Sequence, residues 1–176
     1  SCARDKEENI RLIQKILSSG HTSVLEHVFL NLSFDNVSVF VEQFMIEFRL
    51  ASFTVKSRRY VDFSSMGFVV PSFIDQEGMP LEDAEELETL YSRHMSFLFE
   101  EYGELTAAGV PKEDARFLLP YAYRSNFYCT VNARELYYIL SSMLYGRGSK
   151  LSEIRSLGRE LLNQACEICP FIFEDL

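Results

Sequence analysis

The 176 residues predict one mixed domain over 1–176, α/β or α+β, with a small antiparallel or mixed sheet, several helices and one long central helix. Three observations predict it. Residues 28–34 alternate apolar and polar side chains with period two, as a half-buried strand does. Residues 81–108 repeat apolar side chains at spacings of three and four, as a long core-facing helix does. Around these segments the periodicities follow the order αβα–βαα–βαα, with no internal repeat and no low-complexity tract.

Taken in order, Asp5 to Leu17 puts Ile10, Ile13 and Leu17 on one helical stripe, flanked by Leu12 and Ile16, and Gly20 stops it. Ser23-x-x-Glu26 has the capping-box pattern and predicts a short helix. The strand then carries Val28, Leu30, Leu32 and Phe34 on one face, and Asp35-Asn36 is expected to turn the chain. Ser38 is placed to cap a helix running through Phe40, Val41, Phe44, Met45 and Phe48. Tyr60 to Val70 reads as strand-like, and Asp75 to Pro80 as a polar loop. In the long helix Ala84, Leu87, Tyr91, Met95, Leu98, Tyr102 and Leu105 form the inward stripe, while Glu82, Asp83, Glu85 and Glu86 crowd the end where the dipole favours anions. A short helix from Lys112 to Leu119, a β-rich segment from Tyr121 to Val131, a helix from Asn132 to Leu144 and a last helix from Ser152 to Cys166 complete the chain.

The size and an apolar content of 47% support a substantial core. A formal net charge of −9 argues against a general nucleic-acid binder. No run of eighteen apolar residues predicts a membrane span, and no secretory signal is visible. With four cysteines, this predicts a reduced, cytoplasmic protein. Cys166 and Cys169 have CxxC spacing, but Cys2 and Cys129 supply no second half, so buried helix-end thiols are expected and no metal site. His27 is expected to pack in the core, and His94 is assigned no chemistry.

Against the acidic background, Arg49, Lys56, Arg58 and Arg59 fall within eleven residues, interleaved with Ser52, Thr54 and Ser57. Guanidinium forks beside hydroxyl donors suit a phosphate or carboxylate, and a solvated basic loop is the plain alternative. The segment from Glu47 to Tyr60 resembles the signature of the flavin-dependent thymidylate synthases, Arg-His-Arg-x-x-Ser-x-Asn-Glu-x-Ser-x-Arg-Tyr. Arg49, Ser52, Ser57, Arg59 and Tyr60 match it; Glu47, Phe48, Thr54 and Val55 do not. Gly20-His21-x-Ser23-x-x-Glu26 resembles the family's first flavin motif. Ala115-Arg116-x-x-Leu119-Pro120, Thr130-x-Asn132-x-Arg134-x-Leu136, Glu153-Ile-Arg155 and Cys169-Pro170 extend the likeness over nearly all of residues 2–174. A strand and part of a helix usual at the family's N-terminus are expected to be missing, since Ser1 falls inside the expected first helix.

The resemblance implies an α+β fold and a homotetramer that binds FAD and dUMP, with methylenetetrahydrofolate and NADPH as co-substrates, and methylates dUMP reductively to dTMP. By position, His21, Ser23, Glu26, Arg49, Ser52, Asn132 and Arg134 would contact FAD. Ser57, Arg59 and Arg116 would hold dUMP. The family's uracil-side arginine falls on Met143 without gaps, so Arg147 is the residue expected to replace it. Glu47 reverses a charge beside bound phosphate; at ~4 Å and an effective dielectric near ~20 one unit pair is worth about 4 kcal/mol. Two readings follow: an active synthase using Arg147 or a partner subunit for the missing groups, or a degenerate homologue that binds flavin or nucleotide weakly or serves as a structural subunit.

Overall fold

The computed structural model describes residues 6–74, 78–174 and 176. Asp5, Cys2 and the Asp75–Glu77 part of the expected polar loop lie outside them. The order of elements is α1 (Lys6–Ser18), a 3₁₀ turn (Thr22–His27), β1 (Phe29–Ser38), α2 (Val39–Ile46), β2 (Ala51–Val55), α3 (Ala84–Ala107), α4 (Lys112–Ala115), a second 3₁₀ turn (Arg116–Leu118), β3 (Arg124–Asn132), α5 (Ala133–Leu144), α6 (Ser152–Ile168) and α7 (Pro170–Phe173). The three strands form one sheet in the order β1-β3-β2. Asn36 faces Asn126 and Asn31 faces Thr130, so β1 and β3 run antiparallel. The fold is α+β with a small antiparallel sheet, as the sequence predicts.

The chain divides into two compact units, each drawn from separated segments: unit 1 is Ser1–Leu32, Phe48–Ser52 and Cys129–Leu176, and unit 2 is Ser33–Glu47 and Phe53–Tyr128. In unit 1 the core is α5 against α6. Leu136, Ile139, Leu140 and Met143 recur at helical spacing on α5 and are fully buried. Asn132 caps this helix, its Oδ1 accepting from the Glu135 N–H at 2.9 Å. Gly158 on α6 permits the close approach, because a Cβ there would lie 2.9 Å from that of Met143. α1 ends at Gly20, which adopts φ +81°.

In unit 2 the inner face of α3 (Met95, Phe99, Tyr102) packs on Phe63, Leu119 and Tyr123. Ser38 caps α2 as expected, its Oγ accepting from Val41 N–H at 3.2 Å. Several expectations fail here for local reasons. Asp35-Asn36 does not turn the chain. Asn36 takes φ +58° inside β1, its N–H bonds to Asn126 Oδ1 at 2.8 Å, and Asp35 and Asn36 are both exposed. One extra residue thus slips the inward register from Phe34 to Val37, as a bulge does. Tyr60 to Val70 is not a strand: its single ladder contact is an antiparallel bridge from Phe68 to Tyr123, and Phe63 leaves it to enter the core. The helix expected over Lys112–Leu119 tightens after Ala115 into the second 3₁₀ turn.

Candidate active site

Unit 1 contains a cavity of about 1120 Å³. Glu26, Asn132 and Arg134 line it, with Leu50, Tyr137 and Tyr138 among the apolar and aromatic surfaces. Arg134 Nη1 donates to Glu26 Oε1, so a residue of the first 3₁₀ turn is tied to the first turn of α5. The turn itself is held by packing of Leu25 rather than by a capping box, since neither Ser23 nor any other side chain caps it. His21 and Ser23 flank the cavity-lining Thr22 and are exposed. His27 is exposed as well, which corrects the expectation of a core histidine.

Arg49 sits in the turn before β2, next to the cavity-lining Leu50, exposed and without a partner among the described residues. Ser52 is exposed on β2. The Glu135 carboxyl, also lining the cavity, is pushed above the usual range by burial, against the opposing effect of the Leu50 backbone N–H. An aromatic wall with one arginine at its rim and a second beside it suits a planar, diphosphate-bearing cofactor.

Met143 does not reach this cavity. It is fully buried between α5 and α6, so the ungapped placement of the family's arginine leads into the core. Arg147, three residues past the end of α5, is exposed, and its guanidinium lies over the Phe48 ring, 5.4 Å from the centroid. Phe48 in turn packs edge-on against Tyr138 of the cavity wall, centroids 5.8 Å apart. Phe48, a departure from the signature, is thereby in contact with Arg147, the residue expected to replace the family's arginine. Glu47 is exposed at the C-cap of α2.

Unit 2 holds the other group of residues, and the four-cation run does not act as one patch. Arg58 turns inward to the buried Glu42, which also accepts from Ser125 Oγ at 2.7 Å. Lys56 Nζ contacts Met66 Sδ at 3.1 Å and lies over the Phe63 ring. Arg59 remains outward, its Nε donating to Glu113 Oε2 at 2.8 Å. Arg116 Nε donates to the main-chain oxygen of the same Glu113 at 2.9 Å, and its guanidinium lies over Phe117. Glu113 therefore gathers Arg59 and Arg116, each bound through Nε, leaving the terminal nitrogens of both forks available to an anion. Ser57, two residues before Arg59, is half-buried, and its Oγ lies 3.4 Å from Arg59 N.

Sequence reasoning missed Glu42, Ser125 and Glu113. A lone carboxylate inside the apolar run Val39–Ile46 was the available signal for Glu42; nothing local marked Ser125. Among the described residues no cluster of three His, Cys, Asp or Glu could hold a metal. Cys166 and Cys169 are unpaired and partly buried at the end of α6, and burial pushes the Cys129 thiol up to about 12.

An α+β fold whose unit 1 carries an arginine-lined cavity and whose unit 2 brings two arginines together on Glu113 is of a class suited to phosphate-bearing ligands. The family model described as thymidylate synthase complementing protein matches residues 1–171, and the chain belongs to that family. It is 34% identical over 165 residues to the flavin-dependent thymidylate synthase of Geobacter sulfurreducens, covering 93% of this chain and 67% of that protein. The enzyme of the same name from Nitratidesulfovibrio vulgaris is 31% identical over 172 residues, covering 96% and 69%. Among solved structures, a UMP/dUMP methylase, PolB, from Streptomyces cacaoi bound with 5-Br dUMP superposes with TM-score 0.80 at 25% identity, over 97% of this chain and 80% of that one.

Proposed function

We propose that the protein is a flavin-dependent thymidylate synthase that methylates dUMP reductively to dTMP. The observation that carries this reading is the cavity of unit 1, where Glu26, Asn132 and Arg134, three residues named by the flavin motifs, meet in one lining. Family membership supports it, as do relatives named flavin-dependent thymidylate synthase and a structural neighbour bound with 5-Br dUMP.

FAD is the cofactor the residues fit: Arg134 and Arg49 would meet its diphosphate, Tyr137 and Tyr138 its planar rings, and His21, Ser23, Glu26, Ser52 and Asn132 its polar edges. When bound, the reduced flavin supplies the hydride of the reaction. The chain's own work is to hold dUMP and manage developing charge. Arg59 and Arg116 present two forks to the 5′-phosphate, and the Ser57 hydroxyl adds a hydrogen bond. Arg147 is assigned to the uracil carbonyl, where a cation stabilises enolate-like charge by about 3–4 kcal/mol. Phe48 takes the place of an imidazole by supporting that guanidinium from its ring face.

Methylenetetrahydrofolate as methylene donor, NADPH as reductant and a homotetrameric assembly belong to the same proposal. The described residues contain no helix long and apolar enough to cross a membrane. The test is the visible spectrum of the purified protein together with melting in dUMP. Flavin absorption bands and a dUMP-dependent rise in melting temperature are expected. A colourless protein that neither takes up added FAD nor responds to millimolar dUMP contradicts the reading.

A further inference from the structure

We infer that Glu42 is a positioning residue for the nucleotide-phosphate loop: its buried ion pair with Arg58 sets the orientation of the flanking Ser57 and Arg59. The inference rests on reading those two residues as dUMP contacts. Glu42 is 1% exposed, and both its carboxylate oxygens are engaged, Oε1 by Arg58 Nη2 and Oε2 by Ser125 Oγ. The Arg58 guanidinium also lies over the ring of buried Tyr123, 5.7 Å from its centroid. A charge taken this far from water persists where it is paired and its geometry is fixed.

The loop's other side-chain anchors are exposed: Arg59 Nε on Glu113 at 2.8 Å and Lys112 Nζ on Tyr60 O at 3.3 Å. At its start Lys56 N–H bonds to Asn126 O at 3.1 Å, and at its end Val61 N–H bonds to Ser57 O at 3.1 Å. Between them Arg58 is the only side chain of residues 57–60 drawn into a buried ion pair, so it determines which way its neighbours point. With Arg58 turned in, Arg59 faces out toward Glu113 and Arg116. Arg58 Nε is buried without a hydrogen-bond partner among the described residues. That orphan donor is a stability cost, and an apolar pair filling the same space would avoid it. What the apolar pair would lose is the directed two-ended tether between α2, β3 and the loop.

The distinction between positioning and mere stability is testable with the double variant Glu42→Leu/Arg58→Met, which removes both charges and leaves neither unpaired. The readouts are melting temperature without ligand, the flavin spectrum, and the dUMP concentration giving half-maximal thermal protection. Expected are a melting point within a few degrees of the unmutated protein, an unchanged flavin spectrum, and a dUMP midpoint raised about tenfold or more. A folded double variant with an unchanged dUMP midpoint overturns the inference. Should that variant not fold, Glu42→Asp provides the same decision, because it keeps the charge but shortens the tether. A raised midpoint with folding retained supports positioning, and an unchanged one overturns it. If the unmutated protein gives no dUMP protection, the assignment of Ser57 and Arg59 fails first, and the inference with it.

Discussion

In unit 1 three of the residues read as flavin contacts, Glu26, Asn132 and Arg134, line a cavity with packed walls, whereas in unit 2 those read as nucleotide contacts lie on a loop and a turn tied to acids. Glu26–Arg134 is the only ion pair touching the cavity among the described residues; the rest of its wall comes from α1, the 3₁₀ turn, Leu50, α5 and α7. In unit 2 the loop geometry depends on the buried pair of Glu42 with Arg58, while Glu113 engages Arg59 in an exposed pair. Packing fixes shape irrespective of ionic strength, while an exposed pair is screened and exchangeable. The comparison teaches that substitutions in unit 1 should act through volume and buried charge, and those at the unit 2 surface through competition for anions.

The largest effect expected is at Met143. Introducing the family's arginine there, Met143→Arg, places a charge in the α5–α6 core and should destabilise unit 1 by about 3–5 kcal/mol, seen as a collapsed melting temperature or insoluble protein. Met143→Leu should cost under about 1.5 kcal/mol. A soluble, more active Met143→Arg protein would break the comparison at its stronger side. The next largest is Arg147→Ala, which removes an exposed side chain and its contact with the Phe48 ring but leaves the α5–α6 core alone. Turnover should fall roughly 10²–10³-fold with melting temperature and dUMP midpoint nearly unchanged, the pattern of a group acting on the transition state. Unchanged turnover would remove Arg147 from the reaction.

The smallest effect separates the two kinds of support. Glu113→Gln removes a carboxylate that competes with phosphate for Arg59 in an exposed pair worth at most about 1 kcal/mol. The dUMP midpoint should improve up to about fivefold, and the gain should vanish at high salt. A weaker dUMP response would mean that Glu113 holds Arg59 in place rather than competing for it.

How much of this the sequence disclosed depended on the range of the forces involved. Helix periodicity located α1, α3, α5 and α6, and Ser38 was readable as a cap because capping is local. The Asn36 bulge was not readable, since an Asp-Asn pair serves a turn and a left-handed strand residue equally well. Tyr60 to Val70 misled because its aromatic content serves a core contact without a ladder. At the site, motif spacing named Glu26, Asn132 and Arg134, which line one cavity. It grouped Arg58 with the surface cations, because its pairing with Glu42 spans sixteen residues, and the bond from Ser125 that fixes Glu42 spans eighty-three.

The most direct test of the account is tritium release from C5-labelled dUMP by the unmutated protein, supplied with FAD, methylenetetrahydrofolate and NADPH. The account predicts sustained release that requires all three additions and is lost in Arg147→Ala. No release from a protein that binds FAD and dUMP would contradict it, and would leave a family member that keeps its sites without the reaction.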